Sequence, residues 1–285
     1  MKSIKICVAA ITAGVVCIAA MLGILSAAIY AENESGNSFI GLMYHQVLKD
    51  ESRAGKYIIT PNELESDLAY LSENGYVSVL PSQLVKIREQ GGRLPEKTVV
   101  ITFDDGYETG LYYVLPLLKK YGMKAVINVV GSYTDEYSRI NEEGKHLSYA
   151  YLTWNEIKTL SDSGYVEIGN HTYDMHSNNG DRNGCTTKEN ESDEQYRTVL
   201  YEDVARLSDK LQQVTGKRPV AFAYPFGSLS EGSAEIIGSA GISVFMTCCE
   251  QPCSMNRNGR IVINRYNRES GRTAQQICEE FNNAF

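Results

Sequence analysis

Short apolar segments alternate with helix-like segments from residue 38 to residue 285. Thr98–Phe103 (TVVITF) and Lys124–Val130 (KAVINVV) are rich in β-branched residues, as is typical of strands buried on both faces. Between such segments, Thr60 with Glu63 and Thr153 with Glu156 have the spacing of helix-capping boxes. An alternating order builds a parallel sheet, and seven or eight such units in about 245 residues predict an α/β fold of the (β/α) barrel type.

The element boundaries follow from periodicity and from the capping and turn residues. The predicted strands are Ser38–Val47, Tyr76–Leu80, Thr98–Phe103, Lys124–Val130, Val166–Gly169, Pro219–Tyr224, Ser243–Thr247 and Arg260–Asn264. The predicted helices are Pro61–Asn74, Ser82–Glu89, Gly110–Tyr121, Thr153–Gly164, Glu191–Thr215, Glu231–Ala240 and Thr273–Phe285. The polar stretch Ser177–Ser192 is interpreted as an inserted loop.

A membrane signal precedes this body. Lys2 and Lys5 are followed by Ile6–Tyr30, a run of 25 residues without a charge, and about 20 apolar residues suffice for a transmembrane helix. We expect an uncleaved N-terminal hydrophobic helix, with a cleaved signal peptide or a buried core helix as alternatives. Because the lysines keep their end in the cytoplasm, the body is expected outside it, anchored to the membrane or secreted.

The predicted organisation is therefore residues 1–31 as signal-anchor or signal peptide, 32–37 as a short linker and 38–285 as one domain, expected to be a monomer. With 27 basic against 35 acidic residues, the chain has a net charge of −8, which excludes nucleic acid as a partner. Outside the cytoplasm some of the five cysteines beyond the apolar segment could pair, leaving at least one free. They are Cys185, Cys248, Cys249, Cys253 and Cys278.

Two adjacent acids follow the strand Thr98–Phe103. Asp104 and Asp105 are followed by Gly106, and they can face one site only if the chain turns at Asp105, a turn that glycine permits. In (β/α) barrels the carboxyl ends of the strands form the active-site face. The alternative is an acidic turn that caps the next helix.

A pair of histidines follows another strand. His171 and His176 come directly after Val166–Gly169, and a spacing of five places them on neither one helix face nor one strand face. They can converge only if the loop between them bends. Two imidazoles with a carboxylate form an open metal site, and zinc, iron, cobalt or nickel suit such ligands. Two unrelated loop histidines are the alternative.

Two further strand ends carry unusual residues. Phe222–Gly227 (FAYPFG) runs from a strand into a rigid turn, where aromatic rings could form a sugar-binding wall or could simply pack. His45 interrupts the first apolar strand, where a histidine is either a structural core residue or part of the site.

Together the motifs ITFDDGY, GNHTYDMH and FAYPFG resemble those of the NodB-homology polysaccharide deacetylases, carbohydrate esterase family 4. The flanking segments LMYHQV, YLTWNEI and INRYN are similar to the branch of exported poly-N-acetylglucosamine deacetylases. The resemblance covers residues 38–285.

The resemblance implies a distorted (β/α) barrel and a divalent metal, usually Zn²⁺, with Co²⁺, Ni²⁺ or Fe²⁺ as other options. It implies that Asp105, His171 and His176 bind the metal and that Asp104 is the general base. The backbone N–H of Phe226 would stabilise the oxyanion, and Tyr107, Tyr224 and Pro225 are predicted to contact the substrate. The implied reaction removes an N-acetyl group from an N-acetylhexosamine residue of a polysaccharide and releases acetate.

The sequence also departs from the wider family pattern. Many members have an arginine before the third motif, where this chain has Val220 and Ala221, and no histidine follows His176. The missing late histidine leaves the general acid open. The resemblance implies that the LMYHQV motif lies near the site, so His45 is the candidate general acid, with protonated Asp104 as the alternative. Two competing functions are a glycoside hydrolase, which would leave both histidines without a role, and a carbohydrate-binding protein that has lost activity.

Overall fold

The computed structural model describes residues 37–140, 146–178, 180–255 and 259–283. The predicted signal-anchor or signal peptide (residues 1–31) and all but the last residue of the predicted linker lie outside these ranges. In the described ranges, no helix combines the length and the apolar character needed to cross a membrane.

The strands and helices alternate as the sequence predicts. The strands are β1 Ser38–Tyr44, β2 Gln46–Val47, β3 Ile58–Ile59, β4 Val77–Ser78, β5 Thr98–Phe103, β6 Ala125–Val129, β7 Val166–Asn170, β8 Ala221–Ala223, β9 Val244–Met246, β10 Cys253–Ser254, β11 Ile261–Ile263 and β12 Tyr266–Asn267. The α-helices are α1 Pro61–Glu73, α2 Pro81–Glu89, α3 Leu115–Tyr121, α4 Gly131–Arg139, α5 Trp154–Asp162, α6 Asp193–Thr215, α7 Ser233–Ser239 and α8 Ala274–Asn283. A π-helical turn, Gly110–Val114, precedes α3.

Ten of the described strands form one curled sheet with the central order β1–β5–β6–β7–β8–β9–β11. All neighbours along this path are parallel. Strand β12, which follows β11 along the chain, pairs with β1 on the other edge, so that the sheet nearly closes on itself. The predicted (β/α) barrel is confirmed, and the carboxyl ends of its parallel strands share one face.

The barrel closes at a seam between β1 and the link from β11 to β12. A β-carbon at Gly41 would lie 2.3 Å from the carbonyl oxygen of Asn264, so only glycine lets the two segments approach this closely. The close approach places the next residue, Arg265, fully inside the protein.

Several local predictions are confirmed and others are not. Both capping boxes form, at the start of α1 and of α5, and all six residues of β5 are buried. The helix α4 and the two-residue strands β3, β10 and β12 were not predicted. The possible cysteine pairing is not observed, because all five cysteines in the described residues are free thiols.

Candidate active site

The two adjacent aspartates lie at the carboxyl end of β5, in a turn that directs their side chains to neighbouring positions. Asp105 has a φ of 71° and Gly106 a φ of 72°, so the chain adopts the left-handed conformation at both residues. A left-handed aspartate is uncommon, and conformations of this kind cost about 1–3 kcal/mol and concentrate at functional sites. The turn expected at Asp105 is therefore present.

Asp105, His171 and His176 converge. Oδ1 of Asp105 lies 3.4 Å from Nε2 of His171 and 3.1 Å from Nε2 of His176, and the three potential ligand atoms lie within 4.8 Å of one another. Burial opposes ionisation of Asp105, but its interactions with the imidazoles of His171 and His176 outweigh burial and hold its pKa well below the usual range. The loop between the histidines bends as the spacing of five required.

The second nitrogen of each imidazole is oriented by the protein. Nδ1 of His171 lies 2.8 Å from the carbonyl oxygen of Ala223 and must donate to it, which leaves Nε2 with its lone pair free. Nδ1 of His176 lies 3.3 Å from the hydroxyl of Tyr133, which also donates to the His176 carbonyl at 3.1 Å. Two oriented imidazoles and one carboxylate are a donor set that suits a divalent transition metal.

Asp104 points to a different environment. Its Oδ1 accepts hydrogen bonds from Nη1 of Arg265 at 2.8 Å and from Nδ2 of Asn128 at 2.7 Å. Among the described residues, no hydrogen-bond donor reaches Oδ2. Burial would raise the pKa of Asp104, but the Arg265 guanidinium outweighs it and lowers the pKa to about 2. The result is a buried, ionised carboxylate with one oxygen left for a ligand.

Arg265 is the main functional residue that the sequence prediction missed. It comes from the link between β11 and β12, within the INRYN segment, and its Nε donates to the carbonyl of Thr247 at 2.9 Å. It places a guanidinium beside the first aspartate although Val220 and Ala221 stand where many family members have an arginine. The sequence signal that could have identified it is the pair Arg265 and Arg268, in a short polar segment directly after the strand β11.

The Tyr-Pro-Phe-Gly turn presents only one of its aromatic rings. Phe226 has a left-handed φ of 59° and is 46% exposed, and its ring lies 4.7 Å from that of His176. Among the backbone hydrogen bonds between described residues, none is donated by the Phe226 N–H. In contrast, Tyr224 is 3% exposed and packs against Phe245, and Pro225 is buried. Because their side chains lie in the core, the assignment of Tyr224 and Pro225 as substrate contacts is not supported.

His45 lies beside the aspartates at the end of β1. Its ring packs edge-on against Tyr57, with 4.8 Å between the ring centres, and its buried Nδ1 has no hydrogen-bond partner among the described residues. Burial lowers the pKa of His45, while the charges of Asp105 and Asp104 act in the opposite direction. The ring therefore has one nitrogen without a partner among the described residues and interacts electrostatically with both aspartates.

A wall of stacked tyrosines borders the metal-ligand cluster. Tyr107 stacks on Tyr151 with 4.8 Å between ring centres, and Tyr133 packs at a tilt against Tyr151 at 4.6 Å. Burial, followed by the charge of Asp105, raises the pKa of Tyr107 to about 12. The predicted Tyr107 is thus next to the cluster, whereas Tyr133 and Tyr151 were not singled out as individual residues.

Comparison with known proteins identifies the family. A family model described as polysaccharide deacetylase matches residues 91–245, more than half of the chain. The chain belongs to the polysaccharide deacetylase family. It is similar to poly-beta-1,6-N-acetyl-D-glucosamine N-deacetylase of Escherichia coli, with 27% identity over 231 residues, which are 74% of this chain and 34% of that protein. The chain therefore spans about a third of the length of this curated relative.

Solved structures of deacetylases share the fold. The de-N-acetylase from Aggregatibacter actinomycetemcomitans superimposes with a TM-score of 0.73 and 26% identity, over 85% of this chain and 99% of that one. IcaB from Ammonifex degensii superimposes with a TM-score of 0.68 and 26% identity, over 86% of this chain and 97% of that one. This member of the deacetylase family thus has the family's barrel, and Asp105, His171 and His176 converge in it.

Proposed function

We propose that this protein is a metal-dependent hydrolase that removes N-acetyl groups from N-acetylhexosamine residues of a cell-surface or cell-wall polysaccharide and releases acetate. One observation carries the proposal: the convergence of Asp105, His171 and His176 beside Asp104, an ionised carboxylate with one oxygen free of hydrogen bonds from described residues. Membership of the deacetylase family supports the same reaction class.

Oδ1 of Asp105 and the Nε2 atoms of His171 and His176 would hold the metal, for which we propose Zn²⁺. When bound, a divalent cation would polarise the amide carbonyl and lower the pKa of a water molecule, so that even a carboxylate with a pKa of about 2 can accept the water's proton. The general base, the hydrogen-bond donor to the oxyanion and the proton donor are groups of the protein itself.

Asp104 acts as the general base through Oδ2. Arg265 and Asn128 both bind Oδ1, so they fix the carboxylate's orientation without blocking the oxygen that takes the proton. A general base positioned in this way contributes about 10²–10⁴-fold to the rate. The backbone N–H of Phe226 donates to the carbonyl oxygen as that oxygen gains negative charge.

The leaving nitrogen requires a proton, and we propose that His45 delivers it. The ring lies among Asp104, Asp105 and His171, and protonated Asp104 is the other group that could serve. His45→Ala should lower kcat with metal content and KM unchanged, as measured by acetate release and metal analysis. If the variant is only less stable, with kcat at the wild-type level, Asp104 returns the proton.

The tyrosine wall (Tyr107, Tyr133 and Tyr151) and the exposed ring of Phe226 both border the cluster, because Tyr133 and Phe226 each pack against His176. Flat aromatic faces suit the apolar faces of sugar rings, and the polymer is proposed to lie between them. The name of the Escherichia coli relative makes poly-β-1,6-N-acetylglucosamine the first polymer to test. Peptidoglycan and chitin oligomers carry the same N-acetyl group and complete the panel.

The deciding experiment measures acetate released from these polymers by the full chain, with Asp104→Asn as the matched control. Activity should vanish with a chelator and return with zinc or cobalt. New reducing ends without acetate would instead indicate a glycoside hydrolase. Polymer binding without either product, by protein loaded with metal, would indicate a carbohydrate-binding protein that has lost activity.

We further propose that the barrel lies outside the cytoplasm, held by the apolar segment Ile6–Tyr30 that follows two lysines. Protease added to intact, wall-stripped cells should digest the barrel. Its complete protection, when the same protein is digested after lysis, would contradict the proposal. Recovery of the mature protein in the membrane fraction separates an anchor from a cleaved signal.

A further inference from the structure

The loop that carries both histidines is held in a conformation that its own sequence disfavours. Thr172, directly after His171, has a φ of 74° and is fully buried. A β-branched residue in the left-handed region is a steric outlier, and such strain persists only where surrounding contacts over-determine the backbone. The contacts that hold residues 172–174 therefore also decide where His171 and His176 lie.

Part of this restraint comes from the sheet and from the start of α4. Oδ1 of Asn170 accepts a hydrogen bond from the Thr172 N–H at 2.9 Å. The N–H groups of Gly131 and Ser132 donate to the carbonyls of Thr172 and Tyr173, at 3.1 and 2.7 Å. These bonds fix one side of the loop.

The other side is held by a single carboxylate on α6. Asp203 accepts the Tyr173 N–H on Oδ1 at 2.7 Å and the Asp174 N–H on Oδ2 at 2.8 Å. Burial raises the pKa of Asp203 to about 6 although the two amide groups act in the opposite direction, so the side chain is ionised at neutral pH. Both oxygens therefore form charge-assisted hydrogen bonds to consecutive amides between the two histidines.

We propose that Asp203 is a positioning residue of the metal site: it sets the separation of His171 and His176 and thereby the affinity for the metal. Within the described part of the chain, the hydrogen bonds of its carboxylate reach only the backbone of the loop. The inference rests on the proposed function, because the quantity it controls is metal binding. Groups that orient metal ligands typically change metal affinity or activity by about 10- to 100-fold when they are replaced.

The test compares zinc dissociation constants by competition with a chromophoric chelator, using the full chain. Asp203→Asn should weaken zinc binding by about 10- to 100-fold, because the amide keeps one acceptor oxygen and turns an NH₂ group toward the second N–H of the loop. Asp209→Asn is the matched control, since that carboxylate lies on the same helix and pairs with Arg218 at the surface. It should bind zinc as the wild type does.

A second variant and two further measurements separate positioning from general stability. Asp203→Glu keeps two acceptor oxygens one methylene further out. It should retain more zinc affinity than the Asn variant and shift the visible absorption of the Co²⁺-loaded protein. The melting temperatures of the metal-free proteins show how much of any loss comes from the fold itself. If the Asn variant does not fold, the Glu variant alone decides through its affinity and its Co²⁺ spectrum.

The outcomes distinguish the two proposals. Wild-type protein that binds no zinc would overturn the proposed function and this inference with it. Wild-type protein that binds zinc, alongside Asp203 variants with unchanged affinity and spectrum, would overturn the inference alone. The inference alone is also overturned if zinc affinity falls only in proportion to the stability of the metal-free protein and Asp203→Glu restores none of the lost affinity.

Discussion

The arginines of two buried arginine–aspartate pairs lie in one short segment of this chain, but the two pairs differ in what the aspartate can do. Arg265 pairs with Asp104 inside the barrel, and Arg268, three residues later, pairs with Asp67 of α1. All four side chains are at most 3% exposed. In chemical terms the pairs are nearly identical.

They differ in how many acceptor positions stay open. Oδ2 of Asp67 accepts from Nε of Arg268 at 2.6 Å and from the Tyr44 hydroxyl at 3.1 Å, and Oδ1 accepts from the Ala274 N–H at 2.9 Å. Both oxygens are therefore used, and the pair joins α1 to the start of α8. The carboxylate of Asp104, in contrast, accepts hydrogen bonds from the described residues on Oδ1 only.

The comparison teaches that a buried ion pair by itself predicts neither stability nor catalysis. A carboxylate with both oxygens hydrogen-bonded to the protein, as in Asp67, joins separate elements of the fold. A half-satisfied carboxylate beside metal ligands is fixed in place and can still accept a proton. The role of each aspartate therefore depends on whether one carboxylate oxygen stays free, because an arginine pairs with the carboxylate in both cases.

The largest expected effect is on catalysis. Asp104→Asn should lower kcat by about 10²–10⁴-fold, because an amide cannot accept the water's proton. Metal content should stay at the wild-type level, since Asp104 is not among the three convergent ligand atoms. Acetate release and metal analysis of the same preparation check both statements.

The neighbouring substitution is the control for this prediction. Asp105→Asn should lose metal and activity together, because two imidazoles alone form a weak site. The assignment of base and ligand is reversed if the first variant loses the metal and the second keeps it.

The second effect is on stability. Asp67→Asn removes the nearer counter-charge of the buried Arg268 guanidinium and leaves Glu63, 3.8 Å from its Nη1. The free energy of unfolding should therefore fall, by at most about 3–5 kcal/mol. The protein that remains folded should keep its kcat. Urea unfolding followed by an activity assay below the transition measures both, and a loss of kcat in folded protein would contradict the distinction between the two pairs.

The smallest effect concerns the partner of the base. Arg265→Lys keeps the charge, but a single ammonium cannot reach Asp104, Thr102 and the Thr247 carbonyl together as the guanidinium does. The loss of a hydrogen bond to a charged group is worth about 1.5–3 kcal/mol, so kcat should fall by about 10- to 100-fold. Steady-state kinetics on metal-loaded protein tests this, and wild-type kcat would mean that Asn128 alone orients the base.

Much of the fold was accessible from local sequence. The strands β5 and β6 are buried and rich in β-branched residues, and α1 and α5 have capping boxes that specify where they begin. The strands β3, β10 and β12 have two residues each, too few for any periodicity. Helix α4 starts with a glycine and has few apolar residues, so its formation depends on the elements packed around it.

The site was predictable only where its residues are neighbours in sequence. The DDG turn and the histidine loop have their chemistry in one short motif each. Arg265 lies 161 residues from Asp104 along the chain, and their contact depends on how the seam at Gly41 closes. Asp203 has the appearance of an ordinary polar residue on a helix, because its role depends on a loop that packs against it only in the folded protein.

The closure of the barrel also determines how much of the chain an active protein needs. The proposed metal ligands and Asp104 all lie within residues 91–245, the stretch that matches the family model, whereas β1, β11 and Arg265 lie outside it. A fragment trimmed to that stretch would retain all three proposed ligands and the proposed base. It would also expose the edge of β5 that β1 covers and leave the Asp104 carboxylate without its guanidinium. The stretch that matches the family model is therefore not expected to fold and act by itself. An active protein needs both ends of the barrel.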